Sequence, residues 1–257
     1  MKVDFKEKTI LLTGASTGIG NQLVRKLVKE KANLAILSRK KDLLDNLIKE
    51  LSSHSNIISY KCDVRNFDEV KTAYDKIKSD FGIIDIAILN SGVTYRMSES
   101  SFELDKACEI FDTNFFGVVN FIHLLKEDFI KRGSGIIVGV SSLADSRGFP
   151  SSGFYCASKS ALTIFLESLR IELKKYNVSV ITVRPGFVRT PMTEKNEFYM
   201  PFLMEADKAA EIILDGIKKK KRVIEFPFLL SSFVKILKIM PDFIFDSLAS
   251  QKPKPGK

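Results

Sequence analysis

The order in which two hydrophobic patterns alternate along this chain constrains its fold more than any other feature. Short apolar runs at residues 9–12, 34–37, 57–60, 84–89, 135–140 and 178–183 read as buried strands. Between them lie stretches with helical spacing. Residues 21–32 carry Leu23, Val24, Leu27 and Val28 on one face, and residues 42–51 carry Leu43, Leu44, Leu47 and Ile48. Residues 67–81 carry Val70, Tyr74 and Ile77, and further helical stretches cover 102–112, 114–131 and 154–176. Strands separated by helices predict an α/β fold, a doubly wound, Rossmann-like parallel sheet with helices on both faces. No repeat, low-complexity tract or linker divides the 257 residues, so residues 1–257 read as one domain.

In such a sheet a ligand sits outside the carboxyl ends of the strands. Six polar, glycine or proline residues fall at those predicted ends: Gly14, Ser38, Asp63, Asn90, Ser142 and Pro185. The first end opens a turn, Thr13-Gly14-Ala15-Ser16-Thr17-Gly18-Ile19-Gly20, that leads into a helix. Glycines there let the backbone approach a pyrophosphate, and the N–H groups of the first helical turn point at it. The spacing Gly-x-x-x-Gly-x-Gly differs from the commonest dinucleotide fingerprint, and a flexible βα loop would also fit it.

A second constellation follows the fifth strand. Ser141 and Ser142 are adjacent, Tyr155 lies thirteen positions after Ser142, and Lys159 stands four further on. On a helix, Tyr155 and Lys159 share a face. Two unit charges about 4 Å apart at an effective dielectric near 20 interact by roughly 4 kcal/mol. That is about 3 pK units, enough to bring a tyrosine towards neutrality and let it exchange a proton with a substrate oxygen. Alone, the pair also fits two partly solvated helix residues.

With these motifs in order, the chain resembles a compact, single-domain short-chain dehydrogenase/reductase from residue 9 to about 192. Thr13, Gly14, Gly18 and Gly20 match the cofactor loop, with Ser16, Thr17 and Ile19 inside it. Asp63 and Val64 match the pair that contacts adenine. Asn90 and Gly92 match an Asn-Ala-Gly turn that reads Asn-Ser-Gly here, and Pro185, Gly186, Val188 and Thr190 match the segment closing on the nicotinamide. The resemblance implies that Ser142 orients the substrate oxygen, Tyr155 is the acid/base, and Lys159 tunes Tyr155 and holds the nicotinamide ribose. It also implies that Asn114 holds a water beside Lys159, and that the reaction is hydride transfer between a nicotinamide cofactor and a carbonyl or secondary alcohol. A catalytically silent sensor of the same cofactor is the alternative, and the intact Ser142, Tyr155 and Lys159 argue against it. A related sugar-nucleotide epimerase is disfavoured by the loop spacing and the short C-terminal region.

An acidic residue at the end of the second strand would hold the ribose 2′-hydroxyl of NAD. Ser38 stands there, followed by Arg39, Lys40 and Lys41. A guanidinium suits a 2′-phosphate, so NADP(H) is expected in preference to NAD(H).

The net charge of +9 raises nucleic acid or anionic membrane as partners, but the basic residues are scattered. The densest run, 218–222, follows a helix, where cations are stabilising without a partner. Cys62, Cys108 and Cys156 have neither paired spacing nor an even count, and His54 and His123 are isolated. A reducing, cytoplasmic setting without a metal is therefore expected. No leader or membrane-length apolar run is recognised.

Substrate choice is expected to lie in residues 143–154, in a lid over 187–204, and in the C-terminus. Phe198, Tyr199, Met200, Phe202 and Met204 would wall an apolar pocket, which favours a bulky apolar alcohol or ketone (steroid-, retinoid- or acyl-like). In the extension at 226–250, Ser231, Lys235 and Lys238 are expected on one helical face, with Leu229, Phe233, Leu237 and Met240 on the other. That pattern fits a basic helix on a membrane or, as the preferred reading, a helix closing the pocket or packing on a partner subunit. Apolar residues on several sides of 114–131, with the helix after Tyr155, resemble the family's dimer interface and imply a homodimer or homotetramer.

Overall fold

The structure, a computed structural model, describes residues 2–51, 56–97 and 102–250; His54 lies outside them. Seven strands form one parallel sheet in the order β3-β2-β1-β4-β5-β6-β9. They are β1 (Thr9–Thr13), β2 (Asn33–Ser38), β3 (Ile57–Lys61), β4 (Ile86–Leu89), β5 (Gly135–Val140), β6 (Val178–Pro185) and β9 (Val223–Phe226). A separate pair, β7 (Val188–Arg189) and β8 (Met204–Glu205), ties the two ends of the 187–204 segment together. The chain reverses its direction of winding between β1 and β4, which pair Ile10 with Ile86 and Thr13 with Leu89.

Alternation along the strands divides the core into two layers. Ile10 and Leu12 of β1 face Leu23 and Leu27 of α1 (Gly18–Lys29), with Leu44 and Leu47 of α2 (Lys41–Leu51) in the same layer. Leu11 faces the opposite layer, built from α3 (Phe67–Phe81), α5 (Gly117–Arg132) and α6 (Gly153–Leu173). A strand buried on both faces must be apolar at every position, which is why these strands read as continuous runs. Each fully buried Leu or Ile contributes about 1.5–3 kcal/mol.

Local signals set the helix ends. Asn66 caps α3, its side-chain oxygen accepting from the backbone N–H of Asp68 and Glu69. Gly133 closes α5 at φ +65°, a left-handed conformation that glycine adopts without a Cβ penalty. Between α4 (Leu104–Phe111) and α5 the helix widens into one π-helical turn, Asp112–Phe116, which holds Asn114.

Two features differ from the sequence expectation. The seventh strand, β9, was not expected, because it has four residues and carries Glu225 inside it directly after a lysine run. The chain beyond it forms α7's successor helices, α8 (Phe228–Ile239) and α9 (Asp242–Ala249), with α7 spanning Ala206–Lys218. On α8 burial cuts across the expected division of faces. Leu230, Ser231, Val234 and Leu237 are buried, whereas Leu229 and Phe233 are exposed. The helix is apolar on two sides, so its periodicity did not identify the packed one. No helix among the described residues is long and apolar enough to cross a membrane.

Candidate functional site

The carboxyl ends of β1, β2, β4, β5 and β6 open into a cleft of about 350 Å³. Gly14, Ser16, Thr17, Gly18, Ile19, Ser38, Arg39, Asp63, Val64, Asn90 and Gly92 line it, as the strand-end argument requires. So do Ser142, Tyr155, Lys159, Pro185, Gly186, Val188 and Thr190. Gly20 and Asn114 are not on its wall; they stand behind it.

The glycine turn is shaped by close approach. Gly14 and Gly18 have φ of +66° and +55°, which an L side chain rarely adopts. A Cβ on Gly20 would lie 2.1 Å from the Gly14 carbonyl oxygen, so Gly20 acts through packing. Asn90 fastens the turn to β4, its side-chain amide donating to the carbonyls of Thr13 (3.2 Å) and Gly14 (3.1 Å). Thr13 Oγ1 accepts in turn from the N–H groups of Asn90 and Ser91. Helix α1 follows an N-cap, Thr17, whose side chain makes no capping bond, and it has no acidic residue in its first turn. Its free N–H groups and dipole therefore face the cleft as an anion-binding end.

The two adjacent serines take different places. Ser141 is buried, donating to the Lys159 carbonyl at 2.9 Å. Ser142 reaches the cleft, accepts from the N–H of Ala144 at 3.1 Å, and lies within hydrogen-bonding reach of the Tyr155 phenol. Lys159 is buried, donates to the Val140 carbonyl at 2.9 Å, and sits 5.9 Å from the centre of the Tyr155 ring.

Electrostatics here depart from the sequence argument. Burial pushes Tyr155 up to about 12, against an opposing hydrogen bond from Ser142. Burial pushes Lys159 down to about 8, with Asp145 pulling the other way. The expected lowering of Tyr155 by Lys159 is not found in this structure: the ammonium is engaged by Val140 and desolvation dominates both groups. At neutral pH both hold their protons.

Asn114 is fully buried in the π-helical turn. Its side-chain oxygen accepts from the Val93 N–H at 2.8 Å, and its amide donates to the Val93 carbonyl and to Ser158 Oγ. A Cβ on Gly92 would lie 3.3 Å from Asn114 Oδ1 and 3.4 Å from Lys159 Nζ, so Gly92 keeps the space between them open.

At the other end of the cleft, Arg39 is half-exposed and its guanidinium lies 3.3 Å from Glu109 of α4. Glu109 also meets Arg65 at 3.2 Å and accepts from the Tyr95 hydroxyl at 2.8 Å, and these bonds, Tyr95 first, hold its carboxyl below the usual range. Asp63 is gripped by Arg65 through Nε and Nη2. Burial acts to raise the Asp63 carboxyl, but Arg65 and Arg39 outweigh it and the net direction is down.

The sequence profile described as short chain dehydrogenase matches residues 8–198. The chain belongs to that family. An uncharacterized oxidoreductase of Myxococcus xanthus is 31% identical over 243 residues, covering 94% of this chain and 96% of its own. The ketoacyl reductase HetN of Nostoc is 32% identical, covering 83% of this chain and 76% of its own. A short chain dehydrogenase/reductase of Burkholderia phymatum, solved in complex with NAD, superposes with a TM-score of 0.84 at 19% identity over 99% of both chains. As a short-chain dehydrogenase, this chain is an oxidoreductase that works with a nicotinamide dinucleotide.

The site fits such a cofactor on its own terms. The glycine cradle is too tight for a Cβ at Gly18, which would come within 2.9 Å of Thr190. Next to Asn114, Thr113 Oγ1 is buried without a hydrogen-bond partner among the described residues, and Thr113 lines the cleft. An orphaned hydroxyl at a ligand wall is a place for a ligand atom.

Sequence patterning missed Thr113 and Val93, which line the cleft without matching a motif, whereas Pro191, Met192 and Thr193 line it from within the expected lid segment 187–204. Glu109, Arg65 and Tyr95 were also missed. Their partners are 70, 44 and 14 residues apart in the chain, counted from Glu109 to Arg39, Arg65 and Tyr95, so only the fold unites them. The expected apolar wall at Phe198 to Met204 is not on the cleft. Tyr199 and Phe202 are exposed, and Phe198 packs edge-on against Phe187 beneath Arg96. Segment 187–204 reaches the cleft through its first part instead.

Proposed function

We propose that this short-chain dehydrogenase is an NADP(H)-dependent enzyme that interconverts a carbonyl and a secondary alcohol on a bulky apolar substrate. The observation that carries the reading is the meeting of Ser142, Tyr155 and Lys159 on one wall of the cleft, opposite a glycine cradle. The nicotinamide cofactor, when bound, supplies or accepts the hydride. The chain's own residues do the rest. Ser142 donates to the substrate oxygen and fixes its direction. Tyr155, held protonated by burial, gives that oxygen a proton in reduction and recovers it in oxidation. Lys159 presents an ammonium at neutral pH to the ribose hydroxyls. Asn114, rigid in its π-helical turn, holds an ordered water that connects Lys159 to solvent.

Arg39 and Lys40 at the end of β2 support a 2′-phosphate on the adenosine ribose as a further anionic group to be held. Val93, Val140 and Met192 on the wall support an apolar substrate, as does the likeness to a ketoacyl reductase. Exposed Phe116, Ile164 and Ile171 on the outer side of the π-turn and α6 support pairing of two copies there. A turnover panel of steroids, retinoids, acyl ketones and small carbonyls, followed by reduced-nicotinamide absorbance, tests the assignment. Turnover of the bulky ketones supports it, and turnover confined to small polar carbonyls rejects the substrate class.

A further inference from the structure

Three segments carry the groups at the working end of the cleft, and one carboxylate touches all three. Ser142 opens the short helical turn Leu143–Ser146, Tyr155 and Lys159 lie on α6, and Pro185 ends β6. Asp145 belongs to the turn. Its Oδ2 accepts from Thr163 Oγ1 of α6 at 2.6 Å and from Arg184 Nε of β6 at 2.7 Å. Its Oδ1 accepts from Arg184 Nη2 at 2.5 Å and from Ser146 Oγ at 3.1 Å. The side chain is 2% exposed, and a carboxylate so far from water is held by the donors that meet it.

Each link ends within a residue or one helical turn of a group placed in the reaction. Thr163 stands one turn after Lys159, and its Oγ1 lies 2.7 Å from Ser141 Oγ, which donates to the Lys159 carbonyl. The Ser142 carbonyl accepts from the Asp145 N–H at 3.2 Å. Arg184 immediately precedes Pro185, whose carbonyl lies 3.5 Å from Ser142 Oγ. On its other side Arg184 is held by Glu225 of β9, which meets Lys235 of α8. Asp145, Thr163 and Arg184 do not line the cleft, so they act on it only through the residues they hold.

We propose that Asp145 is a positioning residue for the reaction, its carboxylate fixing the Ser142 turn, the Lys159 face of α6 and the Pro185 end of β6 relative to one another. Its charge also reaches the site, opposing loss of the proton from Lys159 and from Tyr155. Cys156 of α6 is the other titratable group acting on Tyr155, and Arg184 of β6 is the cation paired with Asp145. The proposal rests on Ser142, Tyr155 and Lys159 being the working groups, which Tyr155→Phe tests separately.

The test is reduction of a ketone that wild type turns over, measured across pH beside thermal midpoints, for the full chain and for Asp145→Asn, Thr163→Val and Thr163→Ser. Asp145→Asn is expected to lower kcat about tenfold or more, as misplaced reacting groups do, with little change in KM for the cofactor. It should also move the alkaline fall of kcat to lower pH, because the negative charge that favours both protons is gone. Thr163→Val cuts the link to α6 and keeps the charge, so kcat should fall without that pH shift, and Thr163→Ser should restore it. A lowered thermal midpoint in Asp145→Asn with wild-type kcat and pH profile would make the role structural only and overturn the proposal. Should Asp145→Asn fail to fold, the threonine variants decide, and wild-type kcat in Thr163→Val overturns it. Loss of turnover in Tyr155→Phe beside wild-type kcat in Asp145→Asn removes the positioning role alone. Full turnover in Tyr155→Phe removes the site assignment beneath it.

Discussion

Asp145 and Arg184 form a two-pronged ion pair beneath the Ser142 turn, with Nε 2.7 Å from Oδ2 and Nη2 2.5 Å from Oδ1. Both side chains are nearly inaccessible, at 2 and 14% exposure. The pair joins a longer chain of contacts. Thr163 of α6 donates to Asp145 at 2.6 Å, Arg184 bonds Glu225 of β9, and Glu225 bonds Lys235 of α8. The turn carrying Ser142, the helix carrying Tyr155 and the edge of the sheet are thereby held to one another.

Removing one partner of a buried pair leaves a charge without compensation. Arg184→Met is therefore expected to lose about 3–5 kcal/mol of stability. The double variant Asp145→Asn, Arg184→Met should lose clearly less than the two single losses combined. Urea denaturation of the four proteins in this cycle measures the coupling.

Lys159 predicts a pH dependence of stability. Its folded value, about 8, lies below the ordinary lysine value of 10.5, so the unfolded chain binds the proton more tightly. Stability from this group therefore rises with pH between about 8 and 10.5, and the penalty of burying the charge, roughly 3 kcal/mol, is complete below that window. The stability difference between wild type and Lys159→Met should shift in favour of wild type from pH 7 to pH 10. Thermal midpoints across that range check it, and a difference independent of pH would contradict it.

Much of this architecture was legible because its signals are local. Six strands, the glycine turn and the spacing from Ser142 to Lys159 each depend on neighbours within one or two turns of chain. Eighteen of the twenty candidate site residues line the cleft. What could not be read depends on distant segments. The Asp145–Arg184 pair spans 39 residues, and Glu109 meets an arginine 70 residues away. The direction in which Tyr155 is shifted depends on packing in the same way. Spacing placed an ammonium beside a phenol, but only the packed structure shows how much both are desolvated.

Cofactor selectivity has its own test. Arg39→Ala is expected to weaken NADPH binding tenfold or more, the loss of roughly 1.5–3 kcal/mol for a charged hydrogen bond, while leaving NADH binding little changed. Glu109→Gln should act in the opposite direction, because it frees Arg39 from its carboxylate. Titration calorimetry with both cofactors distinguishes these outcomes, and tighter binding of NADH than NADPH to wild type would refute the role given to Arg39.

Gly18→Ala tests the cradle. The new methyl would meet Thr190 at 2.9 Å in a conformation with φ of +55°, so binding of either dinucleotide should be lost before stability is. Binding titrations beside a thermal melt check the order of these effects.

The central claim is that Tyr155 moves the proton. Tyr155→Phe keeps the ring and removes only the hydroxyl, so the fold and cofactor binding should persist. Turnover with each ketone that wild type reduces, followed by reduced-nicotinamide absorbance at saturating cofactor, measures the claim most directly. A fall of about 10²–10⁴-fold in kcat is the expected result for loss of a general acid. Turnover equal to wild type across those substrates would contradict it.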